Sequence, residues 1–197
     1  MELTNLIEAH LDLPRLAKDL DELGTPARVW ATRQWTQSVQ AKLYEAIKGF
    51  RALTLDDYVP PTTPARVEVV THGTNTLRAF NHFQKRFCKP ADPEAKDQLV
   101  GFNVQSLSGL TGPGYYVAHR AADDGEVEID YTMLPKEKAD AWPPIVPSSA
   151  GLGRFVYEGI DVMRGLSSHV SIGRLRKKSG WADVWFVLVR EDPQPAT

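Results

Sequence analysis

LTGPGYYVAHR at residues 110–120 and GEVEIDYTM at residues 125–133 show the strand pattern of this chain most clearly. In the first, Gly112 and Gly114 flank a proline, and this combination turns the backbone sharply before a strand begins. In the second, apolar and polar residues alternate with a period of two, which is typical of a strand with one apolar and one acidic face. Together they predict two antiparallel strands joined by a turn at residues 121–125.

With the segments on either side of this pair, the chain has about eight strand candidates. They are Val67–Thr71, Arg78–Cys88, Leu99–Gln105, Tyr115–Arg120, Val127–Met133, Phe155–Glu158, Val170–Leu175 and Val184–Arg190. Eight antiparallel strands with tight turns can close into a barrel, and closure removes exposed strand edges. We therefore predict an antiparallel barrel domain over residues 66–191.

Residues 152–166 fit two structures. The spacing of their apolar residues suits a helix, whereas Gly159 and Gly165 would weaken a helix interior. We predict a strand that ends at Glu158, followed by a turn over Ile160–Arg164.

Residues 1–60 predict an N-terminal helical segment. Val39, Leu43 and Ile47 recur every four residues and form one apolar stripe, so their helix must lie on another apolar surface. The proline-rich residues 60–65 mark a linker. Further on, VWFVLV at residues 184–189 is apolar on both faces, and the helices are the expected cover. The predicted fold class is therefore α+β, a helical segment packed on an antiparallel barrel.

The composition excludes several classes of protein. The 197 residues carry a formal net charge of −2, which gives no basic footprint for a nucleic acid. The N-terminus lacks a basic region followed by an apolar run, and no apolar run approaches the roughly 20 residues of a spanning helix, so we expect neither signal peptide nor membrane span. Cys88 is the only cysteine, which excludes an internal disulfide and favours a cytoplasmic location.

The last third of the chain resembles a known family. The segments concerned are VYE at residues 156–158, IDVMR at 160–164, VSIG at 170–173 and WFVLVR at 185–190. They are similar to the closing half of small calycin-like bacterial barrels of unknown function that are associated with a Gly-x-Trp-x-Gly motif. This chain lacks that motif, and GTNT at residues 73–76 occupies its place. The resemblance implies a calycin-like barrel that holds one small apolar ligand in its lumen.

Aromatic side chains and one arginine are the expected ligand contacts. Tyr115, Tyr116 and Tyr131 would supply hydroxyl groups as polar handles of an apolar pocket. Arg164, close to Asp161 in the predicted turn, could orient a ligand carboxylate, although a structural clamp is the plainer interpretation of such a pair. The expected lining of the lumen is Phe83, Phe87, Phe102, Tyr115, Tyr131 and Trp185.

His169, Asp161 and Asp130 are the candidates for acid–base catalysis. Histidine titrates near neutral pH, and a neighbouring guanidinium would keep Asp161 ionised. Asp130 shares one strand face with Glu126 and Glu128; if that face lined the lumen, a general acid would be available, whereas a solvated outer face is the plainer interpretation. Structural roles for all three candidates remain open.

No metal and no other cofactor is predicted. His72, His82 and His119 lie in or beside three strand candidates, but no two histidines have the spacing of a metal-binding pair, and Cys88 stands alone. The glycine-bearing stretches lack the lysine-serine ending of a phosphate loop.

Three functions follow as hypotheses. The first is binding of a small hydrophobic or amphipathic ligand in the lumen. The second is a cofactor-independent isomerase, cyclase or hydrolase that uses the same pocket. The third is a protein interaction module whose helices meet a partner chain, with a homodimer as one option. A lumen filled by side chains would favour the third.

Overall fold

The computed structural model describes residues 11–76, 81–104, 112–122, 125–147 and 159–193. Within these ranges, three helices precede eight antiparallel strands that close into a barrel. Each strand pairs with the next one in the sequence, and the last strand pairs with the first. The α+β fold class, with a helical segment on an antiparallel barrel, is therefore confirmed.

The helices have nine or ten residues and the strands five to eleven. The helices are α1 Leu13–Glu22, α2 Thr25–Arg33 and α3 Gln37–Ala46, with 3-10 turns at Leu55–Asp57 and Pro93–Ala95. The strands are β1 Val69–Asn75, β2 His82–Cys88, β3 Gln98–Val104, β4 Tyr116–Arg120, β5 Glu126–Asp130, β6 Ile160–Gly165, β7 Val170–Lys177 and β8 Gly180–Arg190.

Seven of the predicted strands overlap observed strands, and the sixth prediction needs correction. The predicted strand Phe155–Glu158 lies outside the described residues. The turn predicted over Ile160–Arg164 is wrong, because these residues form β6. Nearly all of β6 is buried on both faces, so its apolar residues do not alternate with exposed ones. A strand covered on both sides loses the period-two pattern by which a sequence reveals it.

Three lumen glycines each face an aromatic residue directly across a strand pair. The partners in register are Gly73 with Phe83, Gly101 with Tyr116, and Gly173 with Phe186. A Cβ added to these glycines would lie 2.3, 2.4 and 2.3 Å from the respective ring atoms. Each ring therefore lies over the glycine of the neighbouring strand, an arrangement that covers the bare backbone and fills the lumen.

The three helices cover the outer face of β7 and β8. The stripe predicted from Val39, Leu43 and Ile47 is buried in one cluster with that face, which is formed by Val170, Ile172, Trp185, Val187 and Val189. Phe186 and Leu188 belong to the cluster inside the lumen. The expected covering of residues 184–189 on both faces is thus confirmed. No described helix is long and apolar enough to cross a membrane.

Residues 53–59 close one end of the lumen, which we call the plugged end. Leu53, Tyr58 and Val59 are buried in the lumen cluster. The Tyr58 ring stacks on Phe87 with centroids 4.8 Å apart, and its hydroxyl lies 3.0 Å from Ser171 Oγ. The chain between the helices and β1 therefore serves as the floor of the barrel.

Exchange of Gly101 for Ala tests the pairing of glycines with rings. The added methyl group would meet both the Tyr116 ring and, at 2.3 Å, the Arg86 carbonyl oxygen. We expect the free energy of unfolding in urea to fall by about 1 to 3 kcal/mol. Gly24→Ala is the control, because nothing lies within 4 Å of its added Cβ. Since Gly24 is the N-cap of α2, the loss should be about 0.5 to 1 kcal/mol, below that of Gly101→Ala. Equal stability of both variants would contradict the packing described.

Candidate functional site

Lys85 lies inside the barrel. Side chains alternate along β2, so Phe83, Lys85 and Phe87 point into the lumen while Gln84 and Arg86 point outward. Only 1% of the Lys85 residue surface is exposed. A buried lysine requires neutralisation and hydrogen-bond acceptors, because an unpaired ammonium inside a protein is strongly disfavoured.

Three acceptors surround the Lys85 ammonium. Its Nζ donates to Asn103 Oδ1 at 3.1 Å and to the Tyr131 hydroxyl, and it forms an ion pair with Asp161 Oδ2 at 3.2 Å. An ammonium has three N–H donors, so this set matches its capacity. We call these four residues the Lys85 cluster.

The partners of Lys85 also bind one another. Asn103 Nδ2 donates to the Tyr131 hydroxyl at 3.1 Å, and that hydroxyl donates to Asp161 Oδ2 at 3.1 Å. The same Asn103 amide lies 3.4 Å from the Gly114 carbonyl oxygen. The Lys85 cluster is therefore a connected polar network, which fixes the positions of its members more firmly than isolated pairs would.

Four aromatic rings surround the same ammonium. The ring centroids of Tyr116 and Tyr131 lie 4.8 Å from Lys85 Nζ, and those of Phe83 and Phe186 lie 5.7 Å away. All four distances fall within the range of about 6 Å in which a ring attracts a cation. We call these rings the aromatic cage. Three of them belong to the glycine pairs, so those pairs also position the cage.

Burial changes the acid–base properties of the site. Removal from water lowers the pKa of Lys85, while the charge of Asp161 and its hydrogen bond act in the opposite direction. Burial raises the pKa of Tyr116 well above its ordinary value. Lowering the pKa of a lysine increases the fraction of free amine, the form that acts as a base or nucleophile.

The Lys85 cluster lies toward the end of the lumen away from the plugged end. Asn103 is the penultimate residue of β3, Tyr131 directly follows β5, and Asp161 is the second residue of β6. In an antiparallel barrel these positions share one rim. Tyr131 and Phe83 are half-buried there, so both side chains keep some surface exposed to solvent at this rim. We call it the Lys85 end.

Five residues predicted for a site lie in the barrel interior, namely Phe83, Phe87, Tyr116, Tyr131 and Asp161. Lys85 and Asn103 were missed. The signal for Lys85 was present in HFQKRFC at residues 82–88, where a lysine occupies an inward position between two phenylalanines. The signal for Asn103 was weaker, because its register with Lys85 arises only from strand pairing.

The predicted lumen positions of Phe102, Tyr115 and Trp185 are wrong. Phe102 and Tyr115 pack with Trp142 outside the barrel, where the Phe102 and Trp142 centroids are 4.9 Å apart. Trp185 lies beneath the helices. Each of the three precedes or follows an inward residue, and one step along a strand moves a side chain to the opposite face.

The predicted pairing of Asp161 with Arg164 is also wrong. Residues three apart on a strand face opposite ways, so Asp161 enters the lumen and Arg164 points outward. Arg164 Nε donates to Glu126 Oε1 at 2.6 Å, and its NH1 donates to the Tyr44 carbonyl oxygen at 2.8 Å. Arg164 thus clamps α3 onto the barrel wall and has no contact with the Lys85 cluster.

The acidic face of β5 lies outside the barrel. Glu126 pairs with Arg164, and Arg176 NH2 donates to Glu128 Oε1 at 2.6 Å. Asp130 Oδ1 accepts hydrogen bonds from the Thr132 backbone N–H at 2.7 Å and from its hydroxyl at 2.6 Å. These carboxylates form ion pairs and hydrogen bonds on the outer wall of the barrel, so they do not supply a general acid in the lumen.

His169 lies at the plugged end, in the turn between β6 and β7. Its Nδ1 is 3.5 Å from Asp192 Oδ1. The four strand residues between Asp161 and the end of β6 span roughly 13 Å, so His169 is remote from the Lys85 cluster. A pocket of about 10 Å³ beside it has room for about one water molecule. The three predicted catalytic residues therefore occupy three separate places.

The histidines do not converge in the described part of the chain. His72 points outward and lies 2.7 Å from Glu191 Oε1, while the His119 ring lies 2.9 Å from the Arg120 carbonyl oxygen. No group of three or more metal-binding side chains occurs among the described residues. Cys88 is buried, and burial raises the pKa of its thiol to about 12.

Comparison with family models, with curated proteins and with solved structures found no match to this chain. The resemblance to calycin-like barrels is therefore carried by the sequence segments alone, and function has to be inferred from the geometry of the Lys85 end.

Removal of one partner from the Lys85 ion pair should be costly. In Lys85→Met the Asp161 carboxylate stays buried without its cation, and we expect a loss of about 3 to 5 kcal/mol in urea unfolding. The double variant with Asp161→Leu should lose less than the sum of the single variants. Lys18→Met is the exposed control, since Lys18 and Glu22 are 74% and 66% exposed and its effect should stay below about 1 kcal/mol. Additive losses would contradict the coupling.

The plugged end should weaken in acid. Burial, with the charges of Arg190 and Arg28, lowers the pKa of His169, and Asp192 and Asp21 only partly oppose this. The unfolded chain then binds more protons below pH 6.5, so the free energy of unfolding should fall as the pH drops from 6.5 toward the folded pKa. His169→Gln should reduce this slope and His119→Gln should keep it, as measured by urea unfolding over that range. An unchanged slope in His169→Gln would refute the assignment.

Proposed function

We propose that the protein binds a small amphipathic molecule at the Lys85 end of the barrel. The observation that carries this proposal is the Lys85 cluster itself, a polar network centred on a buried charge in a lumen filled mainly by apolar side chains. A buried lysine destabilises a fold relative to an apolar residue of similar size unless it is fully paired, and perturbed ionisable groups concentrate at functional sites.

Charge balance favours a neutral ligand. Asp161 already neutralises Lys85, with 3.2 Å between Nζ and Oδ2. A carboxylate ligand would add a second negative charge to a site from which water is largely excluded, and that charge would have no cation of its own. A neutral carbonyl or hydroxyl group can instead exchange hydrogen bonds with Asn103 and Tyr131. The ligand is therefore proposed to carry one neutral oxygen at its polar end.

The packing limits the size of the ligand. Toward the plugged end, apolar side chains fill the interior, including Leu99, Val127, Ile129, Met163 and Leu188. The ligand would thus lie above this layer, with its apolar part against the half-buried Phe83 and the other rings of the aromatic cage. This is a smaller site than a barrel with an empty lumen would provide. It remains consistent with the small apolar ligand that the calycin-like resemblance implies.

Protein interaction is the second candidate function. The apolar side chains that fill the lumen toward the plugged end favour it, because they leave little room for a ligand. Trp30 on α2 and Trp181 on β8 are 60% and 46% exposed, and large exposed aromatic side chains are frequent at protein interfaces. A chain that bound no small molecule at the Lys85 end would use these outer surfaces instead.

Calorimetric titration with three matched probes tests the first proposal. 1-Hexanol should bind more tightly than hexanoate or hexylamine, by roughly tenfold, because only the alcohol adds no charge to the site. Tyr131→Phe should weaken 1-hexanol binding about tenfold through loss of one hydrogen bond. Tyr115→Phe is the matched control, since that ring packs outside the barrel.

Thermal denaturation of each variant, before titration, establishes that it is folded. Absence of saturable binding by all three probes to the wild-type chain would overturn the proposal and favour protein interaction.

A further inference from the structure

We infer that Lys85 is a carbonyl-reactive lysine whose amine forms a reversible imine with an aldehyde or ketone at the Lys85 end of the lumen. This inference rests on the proposed function, and it deepens that function by naming the class of ligand. Three features of the described residues support it: the position of Lys85 Nζ, the carboxylate of Asp161 beside it, and the aromatic cage, which stabilises a cation at this nitrogen.

The position of Lys85 Nζ suits attack on a bound carbonyl carbon. The amine lies at the tip of its side chain, beneath the half-buried Tyr131 and Phe83. A carbonyl group that entered from this rim would meet Nζ, the Tyr131 hydroxyl and the Asn103 amide together. The latter two groups lie 3.1 Å apart. The Asn103 amide can donate a hydrogen bond to the carbonyl oxygen, and so can the Tyr131 hydroxyl once Asp161 has taken up a proton and no longer accepts from it. Such donors also stabilise the negative charge that this oxygen acquires during attack.

Asp161 supplies the acid–base chemistry that imine formation requires. The ammonium first gives one proton to the Asp161 carboxylate, 3.2 Å away, and becomes a free amine. The nitrogen lone pair then forms the C–N bond, and the C=O π electrons move to the oxygen. That oxygen takes up a proton, which the attacking nitrogen gives up, and a carbinolamine results.

The second half of the reaction expels water. The protonated Asp161 carboxyl gives its proton to the carbinolamine hydroxyl, the C–O bond breaks, and water leaves as the nitrogen lone pair forms the C=N bond. The product is a protonated imine beside an ionised Asp161. One amine and one carbonyl have become one imine and one water, with no oxidation or reduction, so the step needs no further reactant.

The site holds the product charge where it already holds the reactant charge. A protonated imine carries one positive charge on the same nitrogen, next to the same carboxylate and within the same aromatic cage. Because Asp161 and the rings are fixed by strand pairing, this environment needs no rearrangement to stabilise the product. Burial also lowers the pKa of Lys85, which increases the supply of free amine at neutral pH.

Reductive trapping in the folded wild-type chain tests the inference. The protein is incubated with hexanal at a concentration below that of the chain, in the presence of cyanoborohydride, and the alkylated lysine is located by peptide mass mapping. We expect Lys85 to be alkylated at least about tenfold faster than the exposed Lys178, because free amine and bound carbonyl coincide only at Lys85. Excess 1-hexanol should slow the labelling of Lys85 and leave that of Lys178 unchanged.

Two variants separate the chemistry from the fold. Asp161→Asn should slow the labelling of Lys85, and Asp161→Glu should restore part of the rate because it returns a carboxylate to the site. Glu128→Gln is the matched control, since that carboxylate lies on the outer wall. Circular dichroism verifies folding, and the experiment on the wild-type chain stands without any variant.

The outcomes also distinguish the inference from the proposed function. Labelling confined to exposed lysines, with 1-hexanol still bound, would overturn the imine and leave the binding proposal in place. If neither 1-hexanol nor hexanal bound to the Lys85 end, both would be overturned. Fast labelling of Lys85 that 1-hexanol did not compete would contradict a shared site.

Discussion

The charge of Lys85 has to be neutralised inside the barrel, and the rest of the interior is arranged around that constraint. An unpaired ammonium in this position would cost several kcal/mol, so acceptors converge on it from other strands. Asn103 comes from β3, Tyr131 from the end of β5 and Asp161 from β6. Because the partners belong to different strands, only one register of the barrel satisfies the lysine. Buried polar groups can select a single structure in this way.

Glycines give the same charge its second set of neighbours. Gly73, Gly101 and Gly173 leave space on three strands, and each space is taken by a ring from the strand opposite. Three of the four rings around the ammonium are held in this manner. The packing of the barrel and the environment of Lys85 therefore have a common cause, and a change in either is expected to disturb the other.

The two ends of the barrel differ in chemistry. At the plugged end, residues 53–59 fill the lumen, and the chain beyond β8 is tied to α2 through Asp192, which accepts from the Thr25 backbone N–H at 2.8 Å. At the Lys85 end, polar groups lie beneath half-buried aromatic rings. One end is thus built for stability, and the other combines hydrogen bonding and charge with half-buried aromatic rings, which is why the proposed ligand and its chemistry are placed there.

The sequence was sufficient to predict the fold class, most of the strands and the helical stripe on α3, because these follow from local hydrophobic patterns with periods of two and about four residues. It could not determine which face of each strand met the lumen, so Phe102, Tyr115 and Trp185 were placed on the wrong side. It also did not reveal β6, because a strand that is covered on both faces lacks the alternation of apolar and polar residues. Only the tertiary structure brought Lys85 to Asn103, Tyr131 and Asp161. Those residues lie far apart in the chain, and their meeting depends on the register of a closed barrel, a property of the whole sheet rather than of any one segment.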